Sequence, residues 1–348
     1  MIRRGSIRTL GAGLWSCVMY GATQASAAPF TQDALTAAGP QAAHIAHLWN
    51  VMLAVCLVVF IAVMIALAAA VIRAPRGDSA TPPDADALVR EERPASRAVA
   101  IAVLASTAGL ALVFWASVHT ERALAGMDHA RALHITLTGH QYWWEAEYDD
   151  PAPAQVFSTA NELHVPVGRP VIFTLQSDDV IHSFWVPNLH GKKDLIPGHT
   201  STFDLRVDRP GTYRGQCAEF CGYQHAHMAL LVVAQSPDEF DRWAQGQRQP
   251  AAEPAAPDAQ RGRDVFLAST CAMCHAVSGT TASARKAPDL THLASRSTLA
   301  AGTLPNKPEN LARWIEDPQR YKPGVNMPPH ALPPQDAQAL VAWLGTLQ

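Results

Sequence analysis

Residues 217–228 read CAEFCGYQHAHM, so two thiols, imidazoles and a thioether lie within one short stretch. Cysteine sulfur and histidine nitrogen together suit copper or zinc, and a thioether nearby favours copper used for electron transfer. A second imidazole has to come from elsewhere, and His182 in DVIHSFWVP (179–187) is the obvious donor. The alternatives are a Cys217–Cys221 disulfide and a structural zinc with two cysteine and two histidine ligands, and the spacing makes both poor.

Around this stretch, from Arg131 to Ala234, apolar residues alternate with polar ones in short runs such as Leu133, Ile135 and Leu137. Turn-forming clusters separate the runs, for example PVG at 166–168 and DRPG at 208–211. Alternation with period two indicates strands with one buried face. The pattern predicts a compact all-β domain, a sandwich or barrel, with boundaries at 126–240.

Two uncharged apolar runs precede the β domain, Val51–Ile72 and Ala98–Val118. Each is long enough to cross a hydrocarbon core of about 30 Å as one helix, so residues 28–125 are predicted to hold an N-terminal segment and two transmembrane helices. A buried hairpin in a soluble domain is the alternative, but neither run has a polar stripe. The short loop between the runs favours the cytoplasmic side because of its arginines, Arg73, Arg76, Arg90, Arg93 and Arg97.

That orientation puts both ends of the mature chain outside a bacterial inner membrane. Residues 1–27 have the layout of a secretory signal peptide, with early arginines and a small-residue cleavage site ending at Ala27. Lipidation at Cys17 is an alternative that the bulky Trp15 disfavours.

Downstream of the β domain, Gln245–Pro257 is rich in Pro, Ala and Gln and is predicted to be an exposed linker, with linker bounds of 241–257. Residues 258–348 then show helical patterns at 259–268, 308–317 and 335–347. Within them CAMCH supplies two thiols for haem attachment, Cys271 and Cys274, and an adjacent iron ligand, His275. A thioredoxin-like redox pair is the alternative, but the βαβ context is missing.

The sixth iron ligand is expected in an irregular segment further along the chain. Met327 in PGVNMPP (323–329) fits this expectation, and His330 is the rival. The sequence therefore predicts a small helical haem domain at the end of the chain.

Composition excludes one class of partner. The 348 residues carry a net charge of only −3, from 27 basic and 30 acidic side chains, and this gives no basic field for nucleic acid. The six cysteines include two close-spaced pairs, which favour metal or cofactor attachment over a disulfide framework.

Four motifs together resemble subunit II of cytochrome c oxidases. They are the Cys-x3-Cys-x3-His-x2-Met loop, HSFWVP at 182–187, GHQYWWE at 139–145 and KDLIPG at 193–198. The resemblance runs from the first apolar helix to about Trp243, and the haem motif behind it is similar to the haem-c-fused, caa-type branch. It implies a cupredoxin-like barrel with a binuclear copper centre, followed by an all-α class I cytochrome c domain.

The resemblance also implies roles for individual residues. The two thiolates would bridge both coppers, one imidazole would bind each copper, and a thioether and a carbonyl would be weak outer ligands: Cys217 and Cys221, His182 and His225, Met228 and Glu219 O. The Glu219 side chain would reach a magnesium ion shared with subunit I. His227 matches no ligand position and is expected to be exposed or to lie behind the ligands. His275 and Met327 would be the axial haem ligands, with 287–290 holding the histidine.

The implied activity is electron transfer without bond chemistry in this chain, so no catalytic residue is predicted. Electrons would pass from a c-type cytochrome or similar donor to subunit I, which reduces oxygen, in a complex that also contains subunit III. Alternatives are the electron-input subunit of a copper-containing nitric oxide reductase and a membrane-anchored electron carrier. Two spans disfavour the carrier, and the quinol-oxidizing branch lacks the copper ligands present here.

Two positions depart from the family. Many members have a glutamate at the start of the second span, where this chain reads RPASRA (93–98), and Glu91 and Glu92 lie outside the recognisable register. The tryptophan through which stand-alone subunits take up electrons is replaced by Tyr142, with Trp143 and Trp144 after it. We therefore expect electrons to enter through the chain's own haem; the alternative is that Tyr142 is only a tolerated strand residue.

Overall fold

The computed structural model describes residues 30–74, 93–126 and 129–348. The predicted signal peptide with Cys17 lies outside the described residues, as do Arg76, Arg90, Glu91 and Glu92 from the loop between the apolar runs.

Two long helices open the described chain: α1, Pro40–Arg73, and α2, Arg93–Leu124. Their apolar side chains are exposed, with Phe60 62% and Trp115 65% accessible. A soluble core helix would bury such residues, and both helices are long and apolar enough to cross a membrane. These features support membrane anchoring through two helices.

The first turn of α1 is attached to the β domain. Ala42 donates its backbone N–H to Leu189 O at 3.1 Å, and Gln41 Oε1 accepts from the backbone N–H of Arg206 at 3.3 Å. The β domain therefore lies directly at the N-terminal end of α1.

Ten strands form this domain: β1 Leu133–His140, β2 Trp143–Tyr148, β3 Phe157–Ala160, β4 Glu162–Pro166, β5 Pro170–Ser177, β6 His182–Trp185, β7 Lys193–Leu195, β8 Ser201–Arg206, β9 Gly211–Cys217 and β10 Ala229–Gln235. They make two five-stranded sheets, in the orders β3-β2-β1-β5-β8 and β4-β10-β9-β6-β7. The β1–β5 and β4–β10 pairs are parallel and the other pairs are antiparallel. The predicted all-β, cupredoxin-like domain is confirmed as a two-sheet sandwich.

The alternating residues of the strands fill the space between the sheets. Ile135 and Leu137 on β1 are fully buried, and Phe173 on β5 contacts Phe184 on β6 with ring centroids 5.1 Å apart. Cys217, Cys221 and Met228 belong to the same buried cluster. The predicted metal-binding loop thus lies on the rim of a packed core, which limits its freedom to move.

A third helix, α3 Pro237–Gln247, follows β10 and begins with a capping box between Ser236 and Glu239. It extends into the stretch predicted to be an exposed linker. The next residues are tied to both neighbouring units: Arg248 Nε donates to Gln155 O at 3.0 Å, and Ala251 N donates to Ser278 O at 2.9 Å. Most residues of the predicted exposed linker are exposed, and these hydrogen bonds attach it to both neighbouring units.

The last unit is built on α4 Pro257–Ala268, α5 Pro308–Glu316 and α6 Pro334–Leu344. Between α4 and α5 is a short hairpin, β11 Thr298–Leu299 and β12 Leu304–Pro305, which the sequence did not predict. Phe266 of α4 packs on Trp343 of α6 at 5.1 Å between centroids. The predicted small helical domain is confirmed.

Candidate functional site

The strands bring together the ends of three segments that are distant in sequence. Cys217 ends β9, Met228 directly precedes β10, and His182 begins β6, where Phe184 pairs with Cys217. Ligand atoms of His182, Cys217 and Cys221 all lie within 4.8 Å of one another. The imidazole predicted from the distant DVIHSFWVP motif therefore reaches the thiols.

The remaining predicted ligands extend this cluster. Cys217 Sγ lies 3.8 Å from Cys221 Sγ and 3.8 Å from His182 Nδ1. On the other side, Cys221 Sγ lies 3.7 Å from His225 Nδ1 and 3.8 Å from Met228 Sδ. Cys217 Sγ also lies 3.1 Å from Glu219 O. The two sulfurs form the centre, with one imidazole beside each.

The two thiols are electrostatically coupled. The adjacent Cys221 thiol lowers the pKa of Cys217 despite burial, and the pKa of Cys221 is raised because Cys217 lies beside it. The pair thus releases one proton readily and retains the second, as coupled sites do. Metal ligation requires thiolates, and two buried thiolates this close need positive charge. The set of two sulfurs with flanking imidazoles fits a soft metal.

His182 is oriented by its surroundings. Its Nε2 lies 2.7 Å from Asp179 Oδ1, which directs Nδ1 towards Cys217. Burial lowers the pKa of His182, but the bonds to Asp179 and Cys217 outweigh burial and raise it. Any Cβ on Gly139 would come within 2.7 Å of the ring, so β1 can approach His182 only through a glycine. Support of a ligand by a carboxylate is a common feature of metal sites.

The three predicted aromatic residues lie in different places. Trp144 is fully buried beneath the ligands, with its ring 6.1 Å from that of His182 and its Nε1 3.5 Å from Met228 O. Tyr142 is buried at the loop, where its hydroxyl accepts from the backbone N–H of Tyr223 at 3.1 Å. Trp143 instead stacks on His140 at 4.3 Å. Tyr142 and Trp144 contact the ligand loop, whereas Trp143 packs on the other face of β2.

Two predictions on the loop concern side chains outside the cluster. The Glu219 carboxylate accepts from Lys192 Nζ at 3.0 Å on the surface, while its carbonyl faces the thiols. His227 is exposed, and its Nδ1 lies 2.8 Å from Gln224 Oε1. The expectation that His227 lies outside the ligand cluster agrees with this position.

In the helical domain, Cys271 and Cys274 lie in and directly after a short 3-10 turn, Thr270–Met273. His275 Nδ1 is 2.7 Å from Pro288 O. Because a carbonyl only accepts, Nδ1 carries the proton and Nε2 is left for a metal. Burial lowers the pKa of His275, so the imidazole stays neutral, as a metal ligand must. The predicted support from 287–290 is present.

The distal side is formed by an irregular segment. Met327 is half-buried and packs against the core of the helical domain, and Gln319 Nε2 donates to Met327 O at 3.1 Å. His330, the rival ligand, is also half-buried, and its backbone N–H is bonded to α5 through Ile315 O at 3.3 Å. The structure does not choose between Met327 and His330 as the sixth iron ligand.

A further buried group fits a cofactor that carries carboxylates. The guanidinium of Arg296 donates from Nη2 to Asp289 O at 2.6 Å, but its Nε has no hydrogen-bond acceptor among the described residues. Buried charged donors are normally satisfied. A haem, with two propionates, would supply such acceptors, so the residues present fit this group.

Sequence reasoning missed three residues that support the cluster of predicted metal ligands around Cys217 and Cys221. They are Asp179, which orients His182; Gln141, whose Nε2 donates to Cys221 O at 2.6 Å; and Gln224, which is buried beside His225. All three lie inside the quoted motifs, and Gln224 directly precedes the predicted ligand His225, so these motifs were a usable signal.

Comparison with known proteins agrees with this geometry. Residues 150–235 match the family described as "Cytochrome C oxidase subunit II, periplasmic domain", and residues 259–348 match the family "Cytochrome c". The chain therefore carries an oxidase subunit II periplasmic domain followed by a cytochrome c domain. We call these the copper domain and the haem domain.

Proteins named "Cytochrome c oxidase subunit 2" are among the relatives. The one from Alkalihalophilus pseudofirmus is 42% identical over 217 residues, which are 62% of this chain and 61% of that protein. The one from Bacillus subtilis is 34% identical over 205 residues, 56% of each chain. The aligned region thus spans less than two thirds of these relatives.

Among solved structures, the periplasmic domain of subunit II of cytochrome oxidase (CoxB) of Bradyrhizobium japonicum is 29% identical. The matched region covers 33% of this chain and 93% of the chain in that structure, with a TM-score of 0.32.

Proposed function

We propose that this chain is the electron-input subunit, subunit II, of a membrane-bound haem–copper terminal oxidase, with its own haem c domain fused behind the copper domain. The observation that carries the proposal is the convergence of four further ligand positions on one buried pair of thiols, next to a haem-attachment domain in the same chain. Copper and haem c supply reversible one-electron chemistry when bound.

The residues of the copper domain would hold two copper ions. The thiolates of Cys217 and Cys221 would bridge them, and one imidazole would bind each ion, from His182 and His225. Met228 Sδ and Glu219 O would be the weak outer ligands. Because the ligands belong to a packed core and Asp179 fixes an imidazole, little rearrangement would accompany a change of charge.

The Glu219 carboxylate is proposed as a ligand to a magnesium ion shared with subunit I. It is exposed and pairs with Lys192 at 3.0 Å, so it is accessible to a partner surface. Lys192 would have to release it when subunit I docks.

In the haem domain, Cys271 and Cys274 would form thioether bonds, and His275 and Met327 would be the axial ligands. A c-type cytochrome or similar donor would deliver electrons to this domain. Tyr142 and Trp144, at the ligand loop, would form the aromatic surroundings of the electron path, with Trp143 behind them. Subunits I and III are the proposed membrane partners, and a bacterial inner membrane with both domains on its outer side is the proposed location.

Metal and haem analysis of the purified full-length chain tests the assignment. We expect two copper ions and one covalently bound low-spin haem per chain, with a mixed-valence copper signal in electron paramagnetic resonance (EPR). One copper with a single-site spectrum would contradict the binuclear centre. Co-purification with an oxygen-consuming polytopic subunit distinguishes an oxidase from a nitric oxide reductase or a free carrier.

The route of electrons is tested by truncation. A complex whose chain stops before Ala259 should keep its coppers and lose most of its activity with soluble cytochrome c. Activity equal to that of the full-length complex would show that a donor can bypass the haem domain.

A further inference from the structure

Two segments of the haem domain lie on the copper ligand loop. The turn of the β11–β12 hairpin reaches the first residue of β10, where the backbone N–H of Ala229 donates to Ala301 O at 3.0 Å. Ala229 directly follows the ligand Met228. The second segment, 322–325, precedes Met327, and its Val325 packs on the hydrophobic core of the copper domain. The haem domain therefore contacts the loop at its C-terminal end and, through 322–325, at its middle.

Gln224 links the second segment to the loop. Its side chain is 5% exposed, and its Nε2 donates to Pro323 O at 2.8 Å, while Oε1 lies 2.8 Å from His227 Nδ1. Gln224 is adjacent to the proposed copper ligand His225, and Pro323 belongs to the segment 322–325, which precedes Met327. One hydrogen bond thus joins the residue before His225, in the copper ligand loop, to a segment of the haem domain just before Met327.

Lys322 makes the matching contact beside it. Its side chain is 2% exposed, and Nζ lies 3.0 Å from Tyr142 O in the copper domain and 3.1 Å from Ala300 O in its own domain. Tyr142 follows Gln141, whose amide holds Cys221 O at 2.6 Å. Lys322 therefore ties the haem domain to the strand end that supports a bridging thiol.

A lysine in this position is costly. Burial lowers the pKa of Lys322 to about 7, which measures how unfavourable a charge is there. A buried amine is tolerated only where its donors are used, and Lys322 uses its donors on one carbonyl from each domain. The hydrogen bonds across the domain interface, and not only packing within the haem domain, account for a buried lysine at this position.

We infer that Lys322, together with Gln224, is a positioning residue that holds the haem domain in register over the copper ligand loop and so sets the rate of electron transfer between the two centres. This inference rests on the proposed function. Neither side chain gains or loses an electron or a proton in the step: the one electron lost by the haem iron is the one gained by the copper pair.

The test compares Lys322→Met with Lys307→Met in the full-length, metal-loaded protein. Methionine keeps the length and apolar stem of lysine but cannot donate, and Lys307 is an exposed lysine at the start of α5 in the same domain. We expect Lys322→Met to leave the haem and copper spectra unchanged and to broaden the iron–copper distance distribution in pulsed EPR. Transfer from photoreduced haem to copper should slow severalfold, because the rate of electron transfer falls as the two centres move apart. Lys307→Met should match the unmodified protein.

A second variant covers the case in which Lys322→Met disturbs haem ligation. Gln224→Met removes the donor from the copper domain and leaves the sequence of the haem domain unchanged. We expect transfer to slow by a smaller factor than in Lys322→Met, because the hydrogen bond from Lys322 to Tyr142 O is kept. A narrow distance distribution and an unchanged rate in either correctly ligated variant would overturn the inference. Absence of the two coppers or of covalent haem in the unmodified protein would instead overturn the proposed function.

Discussion

The proposed copper ligands and the proposed haem ligands are held by different means. In the copper domain, segments from three strand ends converge, and Cys217, Cys221 and Met228 belong to the hydrophobic core itself. In the haem domain, the two attachment cysteines and His275 lie in and directly after one turn, and apolar residues such as Leu290, Leu304 and Met327 are only partly buried around a smaller core. The first site is assembled by the fold, whereas the second domain leaves apolar side chains that a bound cofactor would cover.

This difference has a thermodynamic consequence. A group that binds only the folded state stabilises it by mass action, and a covalent cofactor adds apolar contacts that the chain cannot replace. We therefore expect removal of haem to affect folding and removal of copper to affect mainly the site. Each prediction below tests one part of this contrast.

The largest effect is expected from loss of haem attachment. The double change Cys271→Ser and Cys274→Ser should leave residues 258–348 without stable helices, while the copper domain folds and binds two coppers. Hydrogen exchange resolved by segment, with copper analysis, measures both. Cys56→Ser, at an exposed thiol on α1, is the matched control and should change neither. Protection of α4 and α6 in the haem-free chain would show that the domain does not depend on its cofactor.

Loss of one of the two thiols proposed to bridge the coppers should damage the metal site and leave the fold intact. Cys217→Ser or Cys221→Ser should abolish the mixed-valence signal and reduce copper to one ion or fewer per chain, since a hydroxyl does not replace a bridging thiolate. The strands should remain folded, because Ile135, Phe173 and Phe184 fill the core without the metal. Circular dichroism and EPR on one sample measure both properties. Unfolding of the β domain would mean that copper, and not the core, holds the sandwich together.

The sequence predicted the architecture and the ligands for identifiable reasons. Period-two alternation predicted strands such as β1, and the ligand spacing in 217–228 predicted a metal centre, because both depend on neighbours in the chain. The attachment of the linker to both neighbouring units and the β11–β12 hairpin were not predicted, because their stability depends on contacts such as Ala251 N with Ser278 O. Lys322 was missed for the same reason: its acceptor, Tyr142 O, belongs to another domain.

The two methionines proposed as ligands give a smaller and more selective contrast. Met228 is fully buried and Met327 is half-buried on an irregular segment. Met327→Ala should therefore leave the fold intact, lower the haem reduction potential and admit carbon monoxide, since an axial methionine favours the reduced state. Potentiometry and carbon monoxide difference spectra check this. An unchanged spectrum would identify His330 as the ligand.

The smallest effect is expected at a carboxylate that joins the two domains. Glu162, buried at the start of β4, accepts from the backbone N–H of Ser297 in the haem domain at 2.9 Å and lies 3.4 Å from His164 Nε2.

Burial raises the pKa of Glu162, but the bonds from His164 and Ser297 outweigh it, so the pKa is lowered from its ordinary value of 4.5. The unfolded chain binds the proton more readily, and the carboxylate thus stabilises the folded form above pH 4.5. That contribution is lost as pH falls through the lower folded pKa. We expect the free energy of unfolding of the haem domain, from urea titrations, to fall more in the unmodified protein than in Glu162→Gln between pH 6 and about pH 3. Glutamine keeps a carbonyl acceptor for Ser297 but does not titrate, which makes it the matched control. Equal pH dependence in the two proteins would show that Glu162 does not couple the haem domain to the copper domain.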